Sequence, residues 1–114
     1  MVEYTENQLN QTYAAIADPT RRAILTRLAQ GEARVTEIAE PFAMSLNAVS
    51  KHVRVLERAG LVRRRVRGRE HYLALDAEPL RAASAWMDTY RQFWEERLDA
   101  LESFLQRQSQ EPER

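Results

Sequence analysis

Hydrophobic residues near the start of the chain recur every three or four positions. Leu9, Tyr13 and Ile16 share one face of a helix at this spacing, which predicts an amphipathic first helix that ends near Asp18. Asp18 followed by Pro19 is a strong helix start signal, so a second helix is predicted from Pro19 to about Gln30. The predicted buried positions of this second helix are Ile24, Leu25 and Leu28.

A short third helix is predicted next. Thr36 is its expected cap and Phe42 its expected end, because Pro41 lacks a backbone donor and disturbs the last turn. Its predicted inward positions are Ile38, Ala39 and Phe42. A tight turn at Ala43 and Met44 then leads into a longer helix. A short helix, a tight turn and a longer helix form the helix-turn-helix layout.

The longer, fourth helix is predicted to run from a cap at Ser45 to Ala59, where Gly60 supplies the left-handed residue that commonly ends helices. A helical wheel at about 100° per residue divides residues 46–58 into two faces. The predicted apolar face consists of Leu46, Val49, Val53 and Leu56. The predicted polar face consists of Asn47, Lys51, Arg54 and Arg58, with Ser50 at its border.

Two strands and a long helix complete the predicted elements. The first strand covers residues 61–66, residues 67–70 form a turn that contains Gly68, and the second strand covers residues 71–75, with Leu73 and Leu75 anchoring it to the core. The last helix is predicted from about Pro79 to Arg107. Its apolar stripe consists of Met87, Tyr90, Trp94, Leu98, Leu101 and Leu105, widened by Trp86, Phe93 and Phe104. A stripe this wide predicts contact with a partner helix.

Charge is unevenly distributed, although the formal net charge of the chain is zero. Residues 45–75 contain eight lysine and arginine side chains and two carboxylates, a net charge of +6. The remaining residues therefore carry a net charge of −6. Segments of opposite sign are typical of proteins in which one part binds a polyanion.

The polar face of the fourth helix has the chemistry that reads DNA. A helix fits the major groove, where Asn47 suits adenine and where Lys51 and Arg54 suit guanine or phosphate. Ser45, Asn47 and Ser50 lie in the N-terminal half, the part that approaches base edges in helix-turn-helix proteins. Taken alone, such a face is more often a solvated charged surface.

The strands that follow favour the DNA interpretation, because five arginines lie within seven residues around one glycine. Such a density repels itself unless an anion binds. Arg67 and Arg69 are placed to reach a phosphate backbone or a minor groove, while one or two of Arg63, Arg64 and Arg65 are expected to serve as salt-bridge or solubility residues. The predicted DNA-binding residues are Ser45, Asn47, Ala48, Ser50, Lys51, Arg54, Arg65, Arg67 and Arg69.

The segment IADPTRRAILTRLAQGEARVTEIAEPFAMSLNAVSKHVRVLERAGLVRRRVRGREHYLAL resembles the ArsR-type winged helix-turn-helix repressors. The resemblance covers roughly residues 9–105 and rests on the ADPTRR opening, the AGLV step, the glycine-arginine turn of the wing and the fourth helix. The residues SLNAVSKHVRVL of this fourth helix match the recognition helix of that family, the helix that enters the DNA groove. It implies a mainly α fold with a small β-hairpin wing, and a homodimer that represses transcription from a palindromic operator. The implied dimer interface consists of Leu9, Tyr13, Trp86, Met87, Tyr90, Phe93, Trp94, Leu98, Leu101 and Leu105.

Relatives that sense metals use cysteines in the third helix, or histidines and carboxylates in the last one. The third-helix region offers only Glu37 and Glu40, and the last helix has carboxylates but no histidine, so we expect no metal and no cofactor. His52 and His71 are isolated, and a structural role or a phosphate contact is expected for each. An unknown small-molecule effector in a pocket of last-helix aromatic residues is an alternative to plain interface packing.

Other functional classes receive less support. The serines and histidines form no recognisable nucleophile, base and orienter set, and no glycine-rich phosphate loop is present, so catalysis is not expected. The alternative function is a winged-helix module for protein–protein assembly that uses the aromatic last helix.

The length of 114 residues predicts one folded domain, which we assign to residues 1–107, with a polar tail at residues 108–114. The absence of cysteine excludes disulfides and thiol chemistry. No secretory signal and no apolar stretch of about 20 residues is found, so we expect a cytoplasmic protein without a membrane span.

Overall fold

The computed structural model describes residues 5–110, and within them the chain forms five helices and three strands. These elements are α1 (Glu6–Ile16), α2 (Pro19–Leu28), β1 (Ala33–Arg34), α3 (Val35–Ala39), α4 (Leu46–Arg58), β2 (Val62–Arg67), β3 (Glu70–Leu75) and α5 (Glu78–Gln110). The mainly α fold with a small β-hairpin wing is confirmed. The chain divides into two compact units, with the division between Ala83 and Ser84 within α5.

The first two helices begin at the side chains that cap them. The hydroxyl of Thr5 accepts from the backbone N–H of Gln8, and the Gln8 side chain accepts from the N–H of Thr5, so α1 starts with a capping box. Asp18 caps α2 as predicted, because its Oδ2 accepts from the backbone N–H of Arg21 at 3.0 Å. The buried residues of α2 are the predicted Ile24, Leu25 and Leu28.

The buried face of α1 differs from the predicted one. Its buried residues are Thr12 and Ala15, whereas Leu9, Tyr13 and Ile16 are half-buried. Thr12 satisfies its hydroxyl within the helix by donating to the carbonyl of Gln8 at 3.0 Å, which makes burial of this polar side chain inexpensive. The small residues allow α1 to lie close to the core, and the predicted residues flank this contact.

The helix-turn-helix begins earlier than predicted. Arg34, not Thr36, is the N-cap of α3, and the Glu37 carboxylate accepts from both the backbone N–H and the side chain of Arg34. Ile38 is buried, and α3 ends at Ala39, two residues before Pro41. The short third helix is therefore confirmed, but its predicted cap at Thr36 and its predicted end at Phe42 are wrong.

The sheet has three antiparallel strands in the order β1-β3-β2. The hairpin of β2 and β3 was predicted, with Arg67 paired to Glu70 across a turn in which Gly68 has a φ of 62°. Strand β1 was not predicted, and it pairs Ala33 with Leu73. Leu73 is fully buried, so the base of the wing is anchored in the core of the first unit.

Helix α5 continues three residues beyond the predicted end at Arg107. In the first unit it buries Pro79 and Ala83. Every residue from 89 to 110 of the second unit is exposed, and so are Trp86 and Met87, so the whole predicted apolar stripe is exposed. Residues 111–114 of the predicted tail lie outside the described residues. Within residues 5–110, no helix combines the length and the apolar character that crossing a membrane requires.

Candidate nucleic-acid interface

Helix α4 is the central element of the candidate interface, and the local sequence fixes both its ends. The Ser45 hydroxyl accepts from the backbone N–H of Ala48 at 3.1 Å, and Gly60 adopts a φ of 76° just after the last turn. Val49, Val53 and Leu56 are fully buried. These contacts hold the helix firmly and determine which side chains face outward.

Leu46 departs from the predicted apolar face of α4. It is 49% exposed and lies in the first turn, beyond the part of the helix that the core covers. It borders a surface cleft between α4 and the wing. The first turn of α4 therefore presents its apolar residue at the surface, next to the predicted DNA-binding residues.

The polar face of α4 points into solvent. Asn47, Lys51, Arg54 and Arg58 are exposed, and Ser50 is half-buried at the border of this face. Within the described part of the chain, Lys51, Arg54 and Arg58 form no ion pair. Their charges are therefore not neutralised by any carboxylate that the structure describes.

The arginines inside strand β2 are held differently. Arg63 pairs with Asp76 at 2.8 Å, Arg64 with Glu57 at 2.7 Å and Arg65 with Glu32 at 2.7 Å. We predicted that one or two of these three arginines would serve as salt-bridge or solubility residues, and all three form salt bridges. Arg65, one of the predicted DNA-binding residues, has its guanidinium engaged by both oxygens of Glu32.

The tip of the wing carries the remaining two arginines. The guanidinium of Arg67 lies over the ring of Tyr72, 5.5 Å from its centroid, and Arg69 has no ion pair among residues 5–110. Stacking on an aromatic ring leaves the charge of Arg67 in place. The tip is therefore the part of the wing with available positive charge.

A cleft of about 340 Å³ separates α4 from the wing. Ser50 of α4 lines one side, and Arg64, Arg69 and His71 line the wing side. The Arg64 guanidinium lies 3.0 Å from Nδ1 of His71 and is also bound by Glu57, which raises the pKa of Arg64 above its ordinary value. The polar edge of α4 and the basic wing therefore form two sides of the same cleft.

A cluster of ion pairs around Arg34 supports the base of the wing. Arg34 binds Glu37 at 2.8 Å and Glu70 at 3.1 Å, and the Tyr72 hydroxyl donates to Glu70 at 2.7 Å. The hydrogen bond from Tyr72, followed by the one from Arg34, lowers the pKa of Glu70. Hydrogen bonds from Arg34 likewise lower the pKa of Glu37. This cluster ties β3 to the start of α3.

Arg21 is a structural residue that the sequence interpretation did not identify. Its Nε donates to the carbonyl of Ala15 at 2.7 Å and its Nη2 to that of Ala14 at 3.1 Å, so it caps the C-terminal end of α1. Its Nη1 lies 3.3 Å from Nδ1 of His52, which is also 3.8 Å from Asp18. An arginine soon after an Asp-Pro helix start was the available signal.

The two histidines have protein partners. His52 lies at the α2 side of α4, against Arg21 and Asp18, and His71 lies against Arg64. No group of three or more potential metal ligands occurs among residues 5–110. The hydrogen bond from the Arg21 N–H is the main reason that the pKa of Asp18 is lowered.

The predicted dimer-interface residues fall in both units. In the first unit, Leu9 and Tyr13 are half-buried, and the Tyr13 hydroxyl donates to the carbonyl of Ala83 at 2.9 Å. In the second unit, large apolar side chains are between 49% and 63% exposed along the helix. They are Trp86, Met87, Tyr90, Phe93, Trp94, Leu98, Leu101, Phe104 and Leu105.

Comparison with known proteins agrees with this geometry. A helix-turn-helix domain model matches residues 16–65. The transcriptional repressor SdpR of Bacillus subtilis is 34% identical over 79 residues, which are 69% of this chain and 88% of that protein. The regulator Rv2034 of Mycobacterium tuberculosis is 40% identical, over 75% of this chain and 77% of its own length.

Solved structures give the same result. The crystal structure of an ArsR family transcriptional regulator superimposes with a TM-score of 0.74 at 43% identity, covering 83% of this chain and 97% of that one. This match covers a larger share of the chain than the helix-turn-helix domain model does.

Proposed function

Because the chain belongs to the ArsR family of winged helix-turn-helix transcriptional regulators, we propose that it acts as a cytoplasmic homodimer that binds a palindromic operator. Its activity as a DNA-binding transcriptional regulator follows from the family. The proposal adds the dimer, the operator symmetry, the direction of regulation and the residues in contact. We propose repression of its own or neighbouring genes, in keeping with the repressor SdpR.

The observation that carries this proposal is the contrast between paired and unpaired basic residues. Arg63, Arg64 and Arg65 of β2 are neutralised by carboxylates, whereas Lys51 and Arg54 on α4 and Arg69 at the wing tip have no ion pair among the described residues. Unpaired cations release counterions from DNA when they bind phosphate, which is the main source of affinity for a polyanion.

Within this surface we assign different roles to α4 and to the wing. Asn47 and Lys51 lie on the outward face of α4 and are proposed to contact base edges in the major groove. Ser45, Ala48 and Ser50 are proposed to contact DNA beside them in the same groove. Arg54 and the wing residues Arg67 and Arg69 are proposed to contact phosphates. Arg65 is proposed to contribute only if DNA displaces Glu32.

The homodimer is supported by the exposed apolar side of α5. Monomeric proteins rarely expose a contiguous apolar patch of this kind, and a partner helix would remove it from water. A twofold dimer presents its two recognition helices about one DNA turn apart, roughly 34–36 Å. The operator should therefore be a near-palindrome.

Footprinting on DNA upstream of the chain's own gene tests the proposal. We expect two protected half-sites whose centres are about 10 base pairs apart. The logarithm of the affinity for this site should fall linearly with the logarithm of salt concentration. Protection without sequence preference would contradict the operator, and an affinity independent of salt would instead favour the protein-assembly module.

A further inference from the structure

Lys51 has a unique position in the composition of this protein. Of the 17 lysine and arginine residues in the chain, Lys51 alone is a lysine. It lies on the outward face of α4, among the residues proposed to contact DNA. The single side-chain primary amine of the sequence is thus part of the candidate nucleic-acid interface.

The chemistry of lysine and arginine differs in a way that makes this position important. A guanidinium stays protonated in proteins and is a poor nucleophile, whereas a lysine amine exchanges its proton and is the group that acylation modifies. An anionic acyl donor can bind to many cationic side chains of the folded chain, but it can acylate only one side-chain amine. Selectivity therefore comes from composition as well as from structure.

The surroundings of Lys51 leave the amine accessible. Its side chain is exposed and forms neither a hydrogen bond nor an ion pair within residues 5–110. Arg64 of the wing shows the opposite situation, since Glu57 and His71 hold its guanidinium. Arg54, Arg58 and Arg69 form no ion pair among residues 5–110, and their charges on the same candidate interface attract anionic molecules, including anionic acyl donors.

We propose that Lys51 is an acylation site whose modification switches DNA binding off. This inference rests on the DNA-binding function proposed above. In the reaction, the neutral Nζ attacks the carbonyl carbon of an acyl phosphate or an acyl thioester, and an N–C amide bond forms as the C–O or C–S bond breaks. Phosphate or thiolate leaves, and the displaced proton passes to water.

Acylation changes both the charge and the hydrogen bonding of the side chain. The ammonium has three donors and a positive charge, whereas the amide has one donor and no charge. A lost base or phosphate contact in the recognition helix is expected to weaken operator binding about tenfold. The slope of log affinity against log salt should fall by about 1 if the contact is to phosphate.

The experiment uses the tag-free full chain and its operator. One sample is treated with acetyl phosphate and another with acetyl-coenzyme A, which distinguishes the two donor classes. Peptide mapping by mass spectrometry then locates the acetyl group, and fluorescence anisotropy gives Kd before and after treatment. We expect acetylation at Lys51 with at least one donor, slower modification when operator is already bound, and a Kd about tenfold higher.

A Lys51→Arg variant provides the control, because it retains a cation but has no side-chain amine. The Kd of Lys51→Arg for operator should be the same before and after treatment. Because the α-amine is the only amine left in this variant, an unchanged Kd would show that acetylation of the α-amine does not affect binding. Modification only at the α-amine, or an unchanged Kd after complete acetylation of Lys51, overturns the inference while untreated operator binding still supports the proposed function. If the untreated chain fails to bind operator, the proposed function and the switch both fall.

Discussion

Arg64 of the wing and Glu57 of the recognition helix form a two-pronged ion pair. Arg64 Nη2 lies 2.7 Å from Glu57 Oε1, and Arg64 Nε lies 3.2 Å from Glu57 Oε2. Both side chains are little more than a quarter exposed, so water screens the pair only in part. This pair connects the two elements that are proposed to contact DNA, and it fixes the orientation of one relative to the other.

Replacing Arg64 by Ala should therefore loosen the wing. We expect a loss of about 1 kcal/mol in the free energy of unfolding, with coupling to Glu57→Ala in a double-mutant cycle. Urea denaturation measures both quantities. Arg63→Ala is the matched control, because Arg63 is 79% exposed and its partner Asp76 is not on the recognition helix. Additive effects of the Arg64 and Glu57 changes would contradict the proposed connection.

The unpaired Arg69 provides a prediction about DNA affinity. Arg69→Ala should weaken binding to all sequences by a similar factor and reduce the salt slope by about 1, because a phosphate contact carries no sequence information. Arg63→Ala, which removes a paired arginine from the same wing, should leave the slope unchanged. Anisotropy titrations at several salt concentrations measure both variants. Equal effects of the two substitutions would argue against the distinction between paired and unpaired arginines.

Asn47, in contrast to Arg69, is expected to affect the sequence preference of DNA binding and not its salt dependence. An amide that binds a base edge discriminates between bases by about 1–3 kcal/mol, so Asn47→Ala should reduce the preference for operator over random DNA. Its salt slope should stay the same, since Asn47 has no charge. Competition titrations with operator and random duplexes measure the preference. A uniform loss of affinity on both duplexes would place Asn47 away from the bases.

Arg21 should contribute to stability rather than to DNA recognition. Arg21→Ala leaves two carbonyls at the end of α1 without a charged donor, for which we expect a loss of about 2 kcal/mol in unfolding free energy. Arg22→Ala is the control, because its Nη1 makes a single bond, to the carbonyl of Ile16. Urea denaturation compares the two. An equal loss of unfolding free energy in both variants would show that the additional contacts of Arg21, with His52 and the Ala14 carbonyl, add no stability.

The parts of this fold that the sequence predicts best are those with local causes. Helix α4 was predicted because Ser45 and Gly60 mark its ends and because apolar residues recur between them at helical spacing. Neither signal depends on distant residues. The outward position of Lys51 follows from the same periodicity, so the main part of the candidate interface could be derived before the fold was known.

The parts that were missed depend on contacts between distant residues. Strand β1 has only two residues, too few for a periodic pattern, and it exists because Ala33 meets Leu73. Similarly, Arg65 finds its partner 33 positions away at Glu32. Leu46 has the right phase for burial, but the core does not reach the first turn of α4.

The second unit allows a test of the proposed homodimer. Leu98→Glu places a charge in the middle of the exposed apolar stripe of α5 and should shift the protein toward monomer, because burying an unpaired charge is costly. Ser103→Glu adds the same charge to the opposite side of the helix and should leave the assembly unchanged. Sedimentation velocity gives the mass of each species. Monomeric wild-type protein, or a dimer that tolerates Leu98→Glu, would contradict the assignment.

The cluster around Arg34 predicts how stability depends on pH. Hydrogen bonds from Tyr72 and Arg34 lower the pKa of Glu70 below its ordinary value of 4.5. A group with a depressed pKa in the folded state stabilises it above the unfolded pKa, and this contribution is lost as pH falls through the folded pKa. Acid conditions below pH 4.5 should therefore weaken the attachment of β3 to α3.

Glu70→Gln isolates this contribution, because glutamine keeps the shape and can still accept from Tyr72 but has no charge to titrate. The variant should be less stable than wild type at pH 7, and the two curves of unfolding free energy against pH should converge as the pH falls below 4.5. Urea denaturation between pH 7 and acid conditions provides the curves. Glu96→Gln, at an exposed carboxylate with no ion pair among residues 5–110, is the control for removing a carboxylate that lies outside the cluster. A constant difference between Glu70→Gln and wild type at every pH would mean that Glu70 stabilises the wing through packing rather than through its charge.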